Sequence, residues 1–243
     1  MKRLLDIFVS SFGLFFLSPV LLVFIFLIYK QDKHSPFYIA SRVGINGSMF
    51  NMYKLRSMCV DADKSGVDST SGDDKRITPI GHKIRKYKLD EIVQLWNVLI
   101  GDMSLVGPRP NVLADTSIYT ESEKSLLKVR PGITDFSSII FSDEGEILKG
   151  KDDPDLSYNQ LIRPWKSRLG LIYIQNNSLL LDIKLIYYTA VAIFSKQYAL
   201  NRIVFQLKLF NVDSDIINIA KRKVELYPFP PPGTDQIVKN RNI

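Results

Sequence analysis

The stretch "KLDEIVQLWNVLIGDMSLVGPRP", Lys88 to Pro110, sets five acidic or basic side chains, two glycines and two prolines around an apolar pattern. Leu89, Ile92, Val93, Trp96 and either Leu99 or Ile100 recur at spacings of three and four, which predicts a helix. Extended upstream, "IGHKIRKYKLDEIVQLWNVLIG" reads as one helical segment that "GDMSLVGPRP" ends. Asp90, Gln94 and Asn97 then share the face opposite the apolar stripe, and Glu91 points about 100° away from Asp90. A helix starting near Leu89 would favour an ionised Asp90 at its positive end. Such an aspartate suits a nucleophile or a Mg²⁺ ligand. Acidic residues favour any first turn, however, so on spacing alone Asp90-Glu91 reads first as a helix start.

The basic residues around this stretch change the weighting. Lys54 and Arg56 lie in "YKLR", on one face if that segment is a strand, and Arg85 precedes Asp90 by one turn or so. Arg109 sits in "GPRP", where two prolines stiffen the backbone. A guanidinium fork held in place this way suits phosphate oxygens. Taken singly, each reads as ordinary solvated surface. Together with paired carboxylates and an apolar N-terminus they suggest phosphoryl chemistry on a lipid.

Composition narrows the classes. The 243 residues are 46% hydrophobic and 23% charged, enough for one large domain or two small ones. A net charge of +7 favours an anionic partner, which composition leaves open as nucleic acid, a phosphorylated small molecule or a membrane surface. A lone Cys59 excludes an internal disulfide and a cysteine zinc cluster, and two histidines, His34 and His82, exclude a histidine-rich metal site. Any metal needs carboxylate oxygens, hence a hard ion.

Leu4 to Tyr29 is mostly apolar, and its only charge is Asp6. As one helix it reaches roughly 39 Å, long enough for a hydrocarbon core of about 30 Å. Ser18-Pro19 sits in its middle, and basic residues flank both ends, so the positive-inside bias gives no orientation. Hydropathy alone favours a spanning helix over a re-entrant helix-break-helix. Further on, "FYIA" and "MFNMYKL" read as strands about the turn "GING". Val60 to Pro79 reads as a mobile polar loop, "ESEKSLLKV" as a short helix and "RPGITD" as a turn. A helix interrupted at Pro164 follows. Ser178 to Lys196 reads as a core or membrane-surface helix, and the Pro-rich tail as disordered.

"KRLLDI", "YKLRSM", "RITPIGHKIRKYKLDEIVQLWNVLIGDMSLVGPRP" and "VRPGIT" resemble, in motif order over residues 2–200, the bacterial sugar transferase family. These are the monotopic polyprenol-phosphate phosphoglycosyl transferases, here in the family's small form. The resemblance implies an α+β, mainly helical fold. Residues 1–30 would form a re-entrant membrane anchor, broken at Ser18 and Pro19, which reverses the hydropathy reading. Residues 31–200 would form a membrane-associated cytoplasmic catalytic domain with a small β-hairpin, and 201–243 a partly disordered extension.

The implied reaction moves a sugar 1-phosphate from a UDP-sugar to undecaprenyl phosphate and releases UMP. Asp90 would be the nucleophile and hold Mg²⁺, Glu91 would support it, and Lys54, Arg56, Arg85 and Arg109 would contact phosphate. The implied place is the cytoplasmic face of a bacterial inner membrane. The partners would be the lipid bilayer and the two substrates; a homodimer is compatible, and nucleic acid is not a partner. Val93 stands where many relatives have proline, and "PGITDFSS" departs from their pattern in a region bearing on the sugar. Two other functions fit the composition, a membrane adaptor and a phosphohydrolase acting on the lipid phosphate.

Overall fold

A computed structural model describes residues 1–240. Helix α1, Lys2–Asp32, runs 31 residues without interruption, roughly 46 Å at about 1.5 Å per residue. The break expected at Ser18-Pro19 is absent. Pro19 cannot donate to the Phe15 carbonyl, but the Ser18 hydroxyl donates to that carbonyl at 2.7 Å, so the missing bond is replaced locally.

One face of α1 lies along the rest of the protein. Arg3 donates to the carbonyls of Val98 and Leu99, at a helix end where carbonyls lose their usual intrahelical partners. Asp6, the one charge within the apolar run, is buried and accepts from Ser104 Oγ and the Leu105 amide. Leu21 and Ile28 pack with Leu55 and Ile84. Both ends are tied: Lys2 to Asp182 at 2.6 Å, and Asp32 to both Arg56 guanidinium nitrogens at 2.6 Å. The opposite face leaves Phe8, Phe12, Phe15, Phe16 and Phe26 exposed.

Strands β1, Phe37–Val43, and β2, Met49–Leu55, form the expected antiparallel hairpin. The turn places Asn46 and Gly47 in the left-handed region, as its sequence allows. The following loop is not free. Asp155 accepts from the amides of Asp68 and Ser69, Arg76 donates to the carbonyls of Ala62 and Val67, and the Gly72 amide donates to Gly145. Backbone amides and carbonyls of the loop, with the Arg76 side chain, carry these bonds.

The expected single helix is three: α2, Pro79–Lys86; α3, Leu89–Ile92; and α4, Gln94–Ile100. Lys88, with φ 53°, turns the chain between the first two. The polar face is also turned the other way. Gln94 and Asn97 are buried, whereas Trp96 and Ile100 are about half exposed. Asn97 accepts from the Tyr53 amide and donates to the Asn51 carbonyl, so an amide side chain completes the edge of β2. Leu89, Ile92 and Val93 do pack inward, against the cluster of Leu21, Ile28, Leu55 and Ile84.

"SLV" and "GIT" form a short parallel pair, β3, Ser104–Val106, and β4, Gly132–Thr134, where only a turn was expected. Short helices α5 to α9 follow (Leu113–Ser117, Glu121–Lys124, Phe136–Ile140, Glu144–Ile147, Pro154–Ser157). A π-helical turn, Tyr158–Ile162, leads into α10, Arg163–Asn176, with Pro164 at its start, where its missing amide costs nothing. Helix α11, Leu179–Phe194, buries Leu181, Leu185 and Tyr188 and exposes Leu180, Ile183 and Tyr187. Helices α12, Lys196–Leu209, and α13, Ser214–Ala220, complete the core. The Pro-rich tail has no regular structure up to Asn240, yet it is fastened: Phe229 stacks on Trp165 at 4.4 Å and bonds the Gln160 carbonyl, and Arg168 donates to Pro230. Disorder expected for residues 241–243 lies outside the described residues.

Candidate active site

Helix α3 begins at Leu89 and carries Asp90 and Glu91 in its first turn, both partly buried. The loop after β3 brings Arg109 back to them. Its NH2 donates to Glu91 Oε1 at 2.6 Å and its NH1 to the Ile133 carbonyl of β4 at 3.2 Å. Arg109 is therefore fixed by two elements, as its flanking prolines suggested. Gly107 and Gly132 make this return possible. A Cβ on Gly132 would sit 2.1 Å from the Gly107 amide nitrogen, so two backbones pass where no side chain fits. Arg85, on α2, donates from Nε to Ser57 Oγ at 3.0 Å.

These groups line one cavity of about 440 Å³, with Lys54, Arg85, Asp90, Glu91 and Arg109 in its wall. Arg56 does not join them. Its guanidinium is buried against Asp32 and the Ser35 carbonyl, which makes it a tether for the end of α1. Asp90 has no hydrogen-bond partner among the described residues. The cavity wall also holds Arg42, Lys88, Asn111, Glu144, Tyr158 and Lys166, none of which the sequence reading singled out. Asn111 adjoins "GPRP" and was within reach of that motif. Glu144 and Lys166 lie on separate helices and leave no periodic or spacing signal.

Electrostatics splits the two carboxylates. Burial pushes the Asp90 carboxyl up, Glu91's charge adds to this, and Lys54, Arg85 and Arg109 offset only part. The helix start does not lower the Asp90 carboxyl as expected: a one-turn helix supplies little dipole, and desolvation wins. For Glu91 burial also acts upward, but Arg109, Lys88 and Lys54 outweigh it and bring the group down to about 2. Burial, then Arg109, lowers Lys54 to about 8. The result is an unpartnered, more basic Asp90 beside a Glu91 committed to Arg109. Among the described residues, no group of three or more His, Cys, Asp or Glu stands together as a metal cage.

A family model described as bacterial sugar transferase matches residues 1–196. The chain belongs to the bacterial sugar transferase family. A Bacillus subtilis protein, provisionally named an undecaprenyl-phosphate N-acetylgalactosaminyl 1-phosphate transferase, is 41% identical over 133 residues, covering 55% of this chain and 70% of its own. The UDP-glucose:undecaprenyl-phosphate glucose-1-phosphate transferase of Klebsiella pneumoniae is 34% identical over 77% of this sugar transferase and 39% of its own length. The UDP-N-acetylgalactosamine-undecaprenyl-phosphate N-acetylgalactosaminephosphotransferase of Aeromonas hydrophila is 30% identical over 77% of this chain and 42% of its own. The sugar transferase thus spans about two fifths of the latter two relatives.

Proposed function

We propose that this sugar transferase moves a sugar 1-phosphate from a UDP-sugar to undecaprenyl phosphate, releases UMP, and so initiates a bacterial surface glycan or glycoprotein glycan. The observation that carries the reading is Asp90, an unpartnered carboxylate in a cavity whose wall carries Lys54, Arg85 and Arg109. A free aspartate among cations is arranged to attack an anionic diphosphate rather than to stabilise the fold.

In the first step an Asp90 carboxylate oxygen bonds to the phosphorus next to the sugar. The bond from that phosphorus to UMP breaks, and UMP leaves with the electron pair. In the second, an oxygen of the lipid phosphate attacks the same phosphorus and Asp90 departs as a carboxylate. Lys54, Arg85 and Arg109 balance the charge on the equatorial and leaving oxygens. Glu91 acts through Arg109, holding its fork toward the phosphates by the 2.6 Å bond. Asp90 is the one uncommitted carboxylate of the dyad, so the donor set fits Mg²⁺ bound mostly by water and substrate phosphates, the usual manner of that ion. Bound there, Mg²⁺ would neutralise the diphosphate and stabilise the leaving group.

An α1 that seats its apolar face in the cytoplasmic side of the inner membrane fits the same reading. Its two ends are bonded to one domain, by Lys2 to Asp182 and Asp32 to Arg56, while its outward face is apolar. A helix tied at both ends to one folded body keeps that body on one side of the bilayer. UMP release from a panel of UDP-sugars, with and without undecaprenyl phosphate and Mg²⁺, tests the function. Asp90→Asn is expected to lose at least about 1,000-fold in turnover; wild-type turnover in that variant would refute the nucleophile.

A further inference from the structure

Beyond the diphosphate, a nucleotide-sugar donor offers hydroxyls, and the same cavity wall carries further polar groups that suit them. Glu144, in α8, and Lys166, in α10, form an ion pair there, on the same wall as Tyr158 and Asn111. Lys166 Nζ also lies 5.1 Å from the centre of the Tyr158 ring. Tyr158 OH donates to Asn111 Oδ1 at 3.3 Å, and Asn111 Nδ2 donates to Tyr119 OH at 2.7 Å, so both polar groups are fixed in orientation.

Lys54, Arg85 and Arg109 outnumber Asp90 and Glu91, whereas the Glu144–Lys166 pair sums to zero. A neutral pair cannot serve a diphosphate, but it retains hydrogen-bonding capacity. Lys166 donates to Glu144 Oε2, leaving two ammonium protons, and Glu144 Oε1 has no partner among the described residues. A carboxylate oxygen beside an ammonium matches two adjacent hydroxyls, one donating and one accepting. The side chains are partly buried, 33% and 14% exposed, so water competes weakly. The Gly72 amide donates to the Gly145 carbonyl at 2.8 Å, next to Glu144 in sequence, and both glycines line the same cavity.

We propose that the Glu144–Lys166 pair, with Tyr158 and Asn111 beside it, binds a vicinal diol of the donor. This rests on the transferase reading. Two parts of a UDP-sugar carry that chemistry, the hexose and the ribose, and the test separates them. Glu144→Gln and Lys166→Met are assayed by UMP release from UDP-glucose, UDP-galactose and their N-acetylated counterparts, alongside inhibition by UMP. If the diol is the hexose's, the ratio of kcat/KM between the best and worst sugars changes at least about tenfold, while the UMP inhibition constant holds. If it is the ribose's, UMP inhibition weakens about tenfold and the sugar ratio holds, and 2′-deoxy-UMP, weaker than UMP on wild type, becomes its equal on the variants.

A pair that merely ties α8 to α10 would lower all donors alike and leave both the sugar ratio and the UMP to 2′-deoxy-UMP ratio untouched; that result overturns the proposal. The ratios are internal to each variant, so partial misfolding does not mimic them. Absence of UMP release by wild type with every donor would instead sink the transferase reading itself.

Discussion

At the residue scale, Asp90 and Glu91 are neighbours with opposite fates. Glu91 is spent on Arg109, and the Asp90 carboxylate is left without a hydrogen-bond partner among the described residues. Raising a carboxylate's pKa makes its ionised form a better nucleophile, and the nearby cations supply the charge that an incoming diphosphate requires. Lys54 gives this arrangement a pH signature. Its amine, brought down to about 8, is charged below that pH and neutral above it. Since kcat/KM reports the free enzyme, donor kcat/KM is expected to fall with a midpoint near pH 8 as the charge is lost. Lys54→Arg keeps its charge to far higher pH and is expected to abolish that limb. An unchanged alkaline limb in the variant would remove Lys54 from phosphate binding.

At the element scale, Arg109 is placed by backbone as much as by side chains. The parallel pairing of β3 with β4 needs Gly107 and Gly132 in contact, and Arg109 bonds the Ile133 carbonyl of β4. Gly132→Ala is expected to destabilise the fold by about 3 kcal/mol through overpacking against backbone, measured by thermal or denaturant unfolding in detergent. Stability within about 0.5 kcal/mol of wild type would show that the strands can part without loss. The glycines were visible in "GPRP" and "RPGIT", but their reason was not, because it lies in a contact between segments 25 residues apart. Asp90, Glu91 and Arg109 were legible because one contiguous block carries them. Arg56 was misread because its partner, Asp32, belongs to the apolar helix end rather than to the site. The helix break at Pro19 was misread because one Ser18 hydroxyl replaces the bond that proline removes. Trp96 and Ile100 were assigned to the core because periodicity marks an apolar face without saying what covers it.

At the scale of the whole molecule, that outward face is continuous in kind: aromatic residues of α1, Trp96 and Ile100 of α4, and Leu180, Ile183 and Tyr187 of α11 are all exposed. Exposed apolar surface of this extent marks a membrane or partner contact, and several relatives are named for undecaprenyl phosphate. The two tryptophans separate the faces, since Trp96 is about half exposed and Trp165 is buried. In vesicles with brominated acyl chains, Trp165→Phe protein is expected to show strong quenching of its remaining Trp96, and Trp96→Phe protein little. Equal quenching in both variants would place the membrane elsewhere.

The proposed reaction forms a covalent bond at one side chain, Asp90, and intact-protein mass spectrometry detects such a bond directly. The sugar transferase is incubated with its UDP-sugar and Mg²⁺ but no undecaprenyl phosphate. The expected result is one equivalent of UMP and a mass increase of one sugar phosphate, mapped to Asp90 and absent in Asp90→Asn. UMP released only when the lipid phosphate is also present, with no adduct under any condition, would contradict it and place both substrates in a single direct transfer.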